Sequence, residues 1–521
     1  MHPCLNLTEI QAVIFGHLSN PDLQVNGDPL PDFATLASVA RTCTAFTEVA
    51  LDALWRDQTS LAPLLQVMPA DLWLLRIEAQ ASTWEVPRLK ILTFVRDLQE
   101  ADWSRFDYYA PKIRRLLGSM FTSEPVYPDE TVFHSLRSYR PSHPLLPNLA
   151  TLHIHIIHPK HFQRMPLMLL SPTITTLDIF VLDPHPHEVP AFLSDAARTC
   201  PDIRNFRFRV SVPAVIDTLA FNEALAALLG TTHNVEVFDI HTRVPTTSDV
   251  IWQLGNSAAL CRCETISLPP GLGGSEIQRF FSSGQGRFSK LRHFVFEAPD
   301  LDMAADVIAA LQCPLKSLHT YVGKQVLQPH SALARFMASF ERHRCVSSLT
   351  TLSITGSPEI DGPSDSIRGA FRSLFSLAAL KSLHLRLSCA SELDDDWLAG
   401  AAPAWPRLRE LLIYHSDPPK VTLAGLIPLI RHCPRLSDFW ISIAARPFDS
   451  DLLLPGICNT RIATLDLNLS TIVAPVGVFR CLVLMFPKLK TIFYFDEGEG
   501  EEGWARVSSL LKESMEDEDE G

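Results

Sequence analysis

A hexapeptide pattern that recurs along the chain constrains the fold more than any other feature of the sequence. In Leu380-Lys381-Ser382-Leu383-His384-Leu385, apolar residues stand at positions one, four and six. Copies of this spacing begin at residues 149, 174, 203, 235, 263, 291, 315, 349, 380, 408, 436, 462 and 489, and a weaker upstream copy begins at Leu89. One such match is common by chance, but about a dozen at one period indicate a structural repeat.

The mean step between copies is about 28 residues, within the range of roughly 20–29 residues that leucine-rich repeats show. Positions four and six lie two residues apart, so on a strand they point to the same face. Amphipathic segments such as Leu219–Leu229 and Leu423–Cys433 separate the strands. The pattern therefore predicts an α/β fold, a leucine-rich-repeat solenoid with a parallel sheet on the concave face and helices outside.

Residues 1–57 do not follow the repeat. Ile10, Ile14 and Leu18 recur at helical spacing, a second apolar helix is expected from Leu36 to Phe46, and a third ends near Trp55. Between the first two helices, residues 20–32 are polar and contain prolines, which predicts a loop. Three short helices in this length predict a small all-α bundle.

This N-terminal segment resembles the F-box family. The likeness rests on Leu7-Thr8-Glu9-Ile10-Gln11-Ala12-Val13-Ile14-Phe15-Gly16-His17-Leu18, on Leu36-Ala37-Ser38-Val39-Ala40-Arg41-Thr42-Cys43 and on Leu54-Trp55-Arg56. Asn6 stands where the family usually has proline, and the 20–32 loop is longer than usual. Combined with the repeats, the whole chain looks like an F-box–leucine-rich-repeat protein of a type found in fungi, in which a segment like residues 102–116 also occurs.

The resemblance implies a function and its partners. In that family the F-box binds a Skp-type adaptor, and through it the cullin of a cullin–RING (SCF-type) ubiquitin ligase, while the repeats bind the protein substrate. The adaptor-binding bundle or its core would then be formed by Leu7, Ile10, Ile14, Leu18, Val39, Leu54 and Trp55. The alternative is a repeat scaffold whose F-box is degenerate and which has no ligase role.

The rest of the chain divides by composition. Residues 58–147 are interpreted as a linker with irregular first repeats, residues 148–495 as the solenoid, and residues 496–521 as an acidic, mostly disordered tail. The tail holds 11 acids against Arg506 and Lys512, and a short amphipathic helix around Trp504 is expected within it. It therefore carries about nine of the 13 net negative charges.

The repeat register also predicts which residues face a partner, because positions five and seven point out of the concave face. The candidate substrate-binding residues are Arg207, Arg209, His319, Tyr321, His384, Arg386, Tyr414, Trp440 and Phe493. Two questions stay open. Arg207 lies between Asp178 and Asp239 on neighbouring repeats, as part of an ion-pair ladder or as an anchor for an acidic segment. The aromatic residues form a binding patch or are covered by the tail.

Composition and motifs disfavour other functions. The sequence has no overall excess of basic charge that would attract nucleic acid, and it has no apolar run long enough for a membrane span. Its start lacks the features of a secretory signal. Cys200, Cys313 and Cys433 each precede proline at one repeat position, which indicates buried, reduced thiols in a cytoplasmic or nuclear protein. His153 and His155 lack further ligands for zinc, and no catalytic signature occurs, so neither a metal nor a cofactor nor enzymatic activity is expected.

Overall fold

The computed structural model describes residues 7–25, 28–78, 89–118, 126–140, 144–156, 165–181, 188–210, 216–242, 244–281, 287–323, 328–343, 347–414, 418–449, 456–495 and 500–519. They belong to two compact units, residues 1–244 and residues 245–521. Both units alternate strands and helices in the manner that the repeat predicts, and the leucine-rich-repeat type of α/β fold is confirmed in each.

Unit 1 begins with helices and continues into repeats. Its elements are α1 (Thr8–Gly16), β1 (Ser19–Val25), β2 (Asp28–Pro31), α2 (Phe33–Ala40), α3 (Thr44–Arg56), β3 (Asp57–Gln58), α4 (Ala62–Gln66), β4 (Trp73–Glu78), β5 (Leu89–Phe94), α5 (Trp103–Tyr109), β6 (Arg115–Leu117), β7 (Val126–Pro128), α6 (Glu130–Tyr139), β8 (Thr151–Ile156), α7 (Met165–Leu169), β9 (Thr176–Val181), α8 (Glu188–Thr199), β10 (Asn205–Val210), α9 (Thr218–Thr231) and β11 (Val237–His241). Strands β3, β6, β8, β9, β10 and β11 pair in this order as parallel neighbours.

The three predicted helices pack around a small core of Phe15, Leu36, Ala40 and Ala50. The Asp32 side chain caps α2 by accepting a hydrogen bond from the Thr35 amide at 3.0 Å. The expected extent of the second helix is wrong, because α2 ends at Ala40 and Phe46 belongs to α3. The expected 20–32 loop is also wrong: β1 and β2 form an antiparallel hairpin there.

The segment of residues 58–147 contributes more order than its interpretation as a linker suggested. Strand β6 joins the main sheet of unit 1, whereas β4, β5 and β7 form a separate sheet. The weak repeat copy at Leu89 is therefore not a member of the main ladder, since β5 pairs antiparallel with β4. The parallel neighbour of β5 is β7, which also lies outside the main ladder.

Unit 2 is built from repeats and a terminal helix. Its elements are α10 (Ser248–Asn256), β12 (Arg262–Ser267), α11 (Gly274–Phe281), β13 (His293–Ala298), α12 (Leu301–Ala310), β14 (Ser317–Val322), β15 (Gln328–Pro329), α13 (His330–Arg342), β16 (Thr351–Gly356), β17 (Ile360–Asp361), α14 (Ser364–Phe371), β18 (Ser382–Leu387), α15 (Asp395–Ala404), β19 (Glu410–Tyr414), α16 (Ile427–His432), β20 (Asp438–Ile441), β21 (Ala444–Ala445), β22 (Thr464–Asp466), β23 (Thr471–Ile472), α17 (Pro475–Met485), β24 (Thr491–Phe493) and α18 (Glu501–Asp519). Strands β12, β13, β14, β16, β18, β19, β20, β22 and β24 pair as parallel neighbours in this order.

The predicted register is confirmed in the parallel ladders. Position four of one repeat pairs with position four of the next, as in Leu352 with Leu383 and Leu383 with Leu411. These side chains are fully buried. Helices cover the same face, as the Phe281 ring of α11 shows by lying 6.2 Å from the Phe294 ring of β13. The repeat leucines thus form the core between the sheet and its helices.

The three Cys-Pro positions are buried as predicted, each with at most 1% of its surface exposed. The Cys433 thiol donates to the carbonyl oxygens of Ala402 and Trp405, at 3.5 and 3.4 Å, and burial raises the pKa of this thiol to about 12. Burial likewise raises the pKa of Cys200 to about 11. Thiols held protonated in this way are poor nucleophiles, so these residues serve as small apolar fillers at the helix ends.

The tail is more ordered than the sequence indicated, because α18 covers residues 501–519. Trp504, Val507 and Leu511 are buried on one side of this helix, which packs on α17. Gly503 permits the close approach, since an added Cβ would overlap with Cγ2 of Ile472. Glu501, Glu502 and Glu513 of this helix are exposed. Residues 496–499 lie outside the described part of the chain.

Candidate functional site

The open face of unit 2 carries the side chains at positions five and seven of its repeats. The register stacks them in two rows. Position five contributes Val295, His319, Ser353, His384, Leu412, Trp440, Asp466 and Phe493, and position seven contributes Glu297, Tyr321, Thr355, Arg386, Tyr414, Asn468 and Phe495. The prediction of which residues share this face thus follows from strand alternation alone.

Aromatic rings on this face are open to solvent. Between 43% and 56% of the surface of each of five residues is exposed: Tyr321, Tyr414, Trp440, Phe493 and Phe495. Helix α18, the described part of the tail, does not cover them, because its buried side faces α17 and the Trp504 indole N–H donates to the carbonyl oxygen of Ser470 at 2.8 Å. A cluster of exposed aromatic rings is typical of a surface that binds a partner.

A cavity of about 410 Å³ opens on this face. Six of the predicted residues line it: His319, Tyr321, His384, Arg386, Tyr414 and Trp440. Asp466 and Asn468 line it as well. Phe493, the remaining predicted residue of this unit, belongs to the next strand and is exposed beside the cavity rather than in its lining.

The two histidines in the cavity are held in place by serines of their own strands. The Nε2 atom of His319 lies 3.0 Å from Oγ of Ser317, and Nε2 of His384 lies 3.0 Å from Oγ of Ser382. Burial lowers the pKa of His319, and the neighbouring His384 lowers it further. His319 is therefore neutral at pH 7, and it offers hydrogen bonds to a partner rather than charge.

Arg386 already has an aromatic contact within the protein. Its guanidinium carbon lies 4.9 Å from the centre of the Tyr414 ring, a cation–π geometry. A second cavity of about 310 Å³ lies between this pair and Gly356. The cation is thus oriented by Tyr414 and remains at the surface of the cavity.

Asp466 is a residue that the sequence placed on this face but did not select as a candidate. One carboxylate oxygen of Asp466 accepts a hydrogen bond from the backbone amide of Asn468 at 3.1 Å, and burial raises the pKa of the Asp466 carboxyl. In the part of the chain that the structure describes, no basic side chain forms an ion pair with it. Its position between the aromatic positions of two flanking repeats was a signal that could have identified it.

The open face of unit 1 is different, because its charges pair within the protein. Of the ion-pair ladder considered for Arg207, the half to Asp178 is present as a long contact of 3.9 Å, and among the described residues no ion pair joins Arg207 to Asp239. Arg209 makes the shorter contacts to Asp178 by donating to both of its oxygens, at 2.9 and 3.0 Å, and Asp239 lies 3.0 Å from His241. The pairing is diagonal because Arg209 is long enough to reach back across two positions.

The Asp178 pair predicts an effect on stability. The carboxylate is fully buried while Arg209 is one-third exposed. Replacing Asp178 with Asn keeps the size but removes the charge, so the free energy of unfolding of unit 1 should fall by about 1–3 kcal/mol. Chemical denaturation measures this. The control is Glu236→Gln, because the Glu236–Arg204 pair is exposed at 3.8 Å and should contribute almost nothing. Equal losses in both variants would contradict the assignment.

A second candidate surface lies on α1 in unit 1. Four apolar side chains of this segment are exposed: Leu7, Ile10, Val13 and Ile14. The core side of α1 is formed by Phe15 and, unexpectedly, Gln11. The structure therefore separates the predicted adaptor-binding residues into an exposed group, Leu7, Ile10 and Ile14, and an inner group of Leu18, Val39, Leu54 and Trp55. Val13 was not among the candidates, because apolar residues occur on every side of α1.

The inner group anchors the bundle within unit 1. The Trp55 ring stacks on the Tyr109 ring at 4.5 Å between centres. Nearby, the Lys112 ammonium lies 2.5 Å from Asp52 and 3.1 Å from Glu48. The exposed group on α1 is free of these contacts, so it defines a surface that we call the α1 face: Leu7, Ile10, Val13 and Ile14.

Among the described residues, none of the helices combines the length and apolar character needed to cross a bilayer.

Comparisons with known proteins complete this description. No family model matches the chain, and neither does any curated protein. Among solved structures, the chain is similar to the Rad7 and Elc1 complex from yeast, at 13% identity and a TM-score of 0.40, covering 71% of this chain and 83% of that one. It is also similar to the leucine-rich repeat-containing protein LegL7 from Legionella pneumophila, at 11% identity and a TM-score of 0.26, covering 55% of this chain and 89% of that one. Likeness at this level carries no argument about function.

Proposed function

We propose that this chain is the substrate-recognition subunit of a cullin–RING ubiquitin ligase of the SCF type. In this proposal the α1 face binds a Skp-type adaptor, and through it a cullin, while the open face of the repeats binds a protein substrate. The chain itself performs no chemistry, because the ligase transfers the ubiquitin. Such a receptor would act in the cytoplasm, the nucleus or both.

The observation that carries the proposal is the α1 face. Ile10, Val13 and Ile14 are between 37% and 61% exposed on a helix whose other side is packed. Apolar side chains left together in water at the end of a packed bundle indicate a protein-binding surface, and an apolar helix side fits a groove on a partner. The resemblance of this segment to the F-box family points to an adaptor as that partner.

The open face of unit 2 supports the second half of the proposal. It combines five exposed aromatic rings with a cavity of about 410 Å³ that polar side chains line. Aromatic residues supply a large share of the binding energy at protein interfaces. A receptor needs two binding surfaces, and in this proposal each unit supplies one.

The alternative is a repeat scaffold with a degenerate F-box. One observation favours it: the bundle has a structural role through the Trp55–Tyr109 stack and the Lys112 ion pairs, so it would be retained without an adaptor. The two functions differ in a single property, the affinity of the α1 face for the adaptor.

Binding of a purified Skp-type adaptor from the same source tests the proposal. A double variant, Ile10→Asp with Val13→Asp, should bind on the order of 100-fold more weakly than the wild type, because charges would enter an apolar interface. Calorimetry or biolayer interferometry on the full chain measures the affinity. Point variants are better than removal of residues 1–60, which would also delete β3 and Trp55 from unit 1.

The matched control is Leu219→Asp. Leu219 is exposed to 67% on α9, in the same unit, so the change adds charge without touching the α1 face. It should leave adaptor binding unchanged. Equal binding by the double variant and the wild type would remove the α1 face from the proposal. A folded wild type with no affinity for the adaptor would establish the scaffold alternative instead.

A further inference from the structure

Three position-five residues form a row on the open face of unit 2: Trp440 on β20, Asp466 on β22 and Phe493 on β24. Trp440 pairs in register with Asp466, and Asp466 with Phe493. A carboxylate therefore stands between two aromatic side chains on adjacent parallel strands. Both rings are more than half exposed, so the space above the carboxylate is open to a partner.

The spacing of the row suits a cation. Adjacent strands lie about 4.8 Å apart, so the two aromatic residues are anchored about 10 Å from each other, with Asp466 midway. A cation above Asp466 would then be displaced by about 5 Å from the strand that carries each aromatic residue. It makes a cation–π contact when it lies within about 6 Å of a ring centre.

Within the described part of the chain, the Asp466 carboxylate has no positively charged partner. Asp466 accepts the Asn468 amide with one oxygen, and among the described residues no Arg, Lys or His lies at ion-pair distance. Burial raises its pKa, which shows that the charged form is poorly solvated. The nearby Arg386 is directed to Tyr414. A partially desolvated carboxylate gains free energy when a cation binds it.

The local charge favours the same kind of partner. Glu410 and Asp438 stand at position three of β19 and β20, where they pair in register, and both are at least partly exposed. Oε2 of Glu410 lies 3.6 Å from Nε2 of His384, whereas among the described residues Asp438 and Asp466 have no Arg, Lys or His at ion-pair distance. With Arg386 held against Tyr414, this end of the face therefore carries an excess of acid. A basic segment would be attracted to it, and an acidic or phosphorylated one repelled.

We infer that the row Trp440–Asp466–Phe493 binds a lysine or arginine side chain from an extended segment of the substrate. The ammonium or guanidinium group contacts the Asp466 carboxylate, and the aliphatic stem lies between the two rings. This inference deepens the proposed substrate-binding role of the open face by giving the chemical class of the substrate segment. It does not depend on the adaptor.

Selection of peptides by the full chain tests the inference. The probe is a phage-displayed library of random decapeptides, panned against the wild type, and the expected result is enrichment of Lys or Arg at one position. A synthetic copy of a selected peptide is then measured by fluorescence anisotropy. Replacing its basic residue with norleucine should weaken binding roughly ten- to hundredfold, as loss of a hydrogen bond to a charged group predicts.

Variants of the protein assign the effect to the row. Asp466→Asn should cause a similar loss of peptide affinity. Its side-chain oxygen can still accept the hydrogen bond from the backbone amide of Asn468, so the fold should persist. Trp440→Leu should weaken binding roughly two- to thirtyfold. The matched control is Asp396→Asn, which removes the same charge from an exposed site in the first turn of α15, outside the open face, and should change affinity less than threefold.

Three results would overturn the inference: no peptide selected, selected peptides without basic enrichment, or equal affinity of the wild type and Asp466→Asn. A thermal melt of each variant excludes unfolding as the cause of a loss. Failure of adaptor binding by the wild type would count against the ligase proposal alone, because the selection contains no adaptor.

Discussion

Replacing Trp504 with Ala should lower the free energy of unfolding of the last repeats of unit 2 by about 3–5 kcal/mol. The indole is 1% exposed, and its N–H donates to the Ser470 carbonyl at 2.8 Å. Alanine would leave a cavity between α18 and the last repeats and an acceptor without its donor. Trp504→Phe should cost less, since it keeps most of the apolar volume and loses the hydrogen bond.

The location of the loss is as informative as its size. In a repeat array each unit contacts mainly its neighbours, so the destabilisation should remain near α17, β22 and β24. Hydrogen exchange by mass spectrometry would show faster exchange over residues 456–495 and little change at β13 or β14. Arg506→Ala, on the exposed side of α18, is the control. Unchanged hydrogen exchange in Trp504→Ala would show that the packing of α18 does not stabilise the last repeats.

A pair of adjacent substitutions gives the second large effect. Leu383 is fully buried in β18, whereas His384 is half-buried on the open face. Leu383→Asp would place a carboxylate in the apolar core and should destabilise unit 2 by more than about 4 kcal/mol, enough to prevent folding of the central repeats. His384→Asp should cost at most about 1 kcal/mol.

The comparison tests the register, because both variants introduce the same side chain one residue apart. Circular dichroism and urea denaturation of the full chain measure the two losses. His384→Asp also serves as the control for a general effect of added charge. Comparable losses from both substitutions would show that alternation does not govern which side chains enter the core.

The sequence was most informative where one periodicity acted alone. Leu383 and Leu385 were placed in the core and His384 and Arg386 on the open face from spacing, and the paired strands agree. Side chains alternate there between the core and the open face along each strand, because each strand pairs in parallel register with a neighbour on both sides. The repeat therefore predicted the fold of the residues from about 149 onward and the membership of the open face.

Prediction was weaker where several arrangements satisfied the same pattern. Helix α1 has apolar residues all round, so spacing could not show that Phe15 is buried while Val13 and Ile14 are exposed. The Asp178–Arg209 pair depends on side-chain reach rather than on register. In the tail, eleven acids suggested disorder, but the apolar spacing of Trp504, Val507 and Leu511 was sufficient for a packed helix.

The outermost strands of the ladders have a consequence for self-association. Strand β24, at the end of the ladder in unit 2, covers only Thr491–Phe493, and β3, at the start of the ladder in unit 1, covers only Asp57–Gln58. A long bare edge offers a row of unpaired amides and carbonyls on which another chain can add a strand, which is the route to fibrils. Edges of two or three residues give such growth almost no template, so these two ends of the ladders do not favour the addition of a strand from another chain.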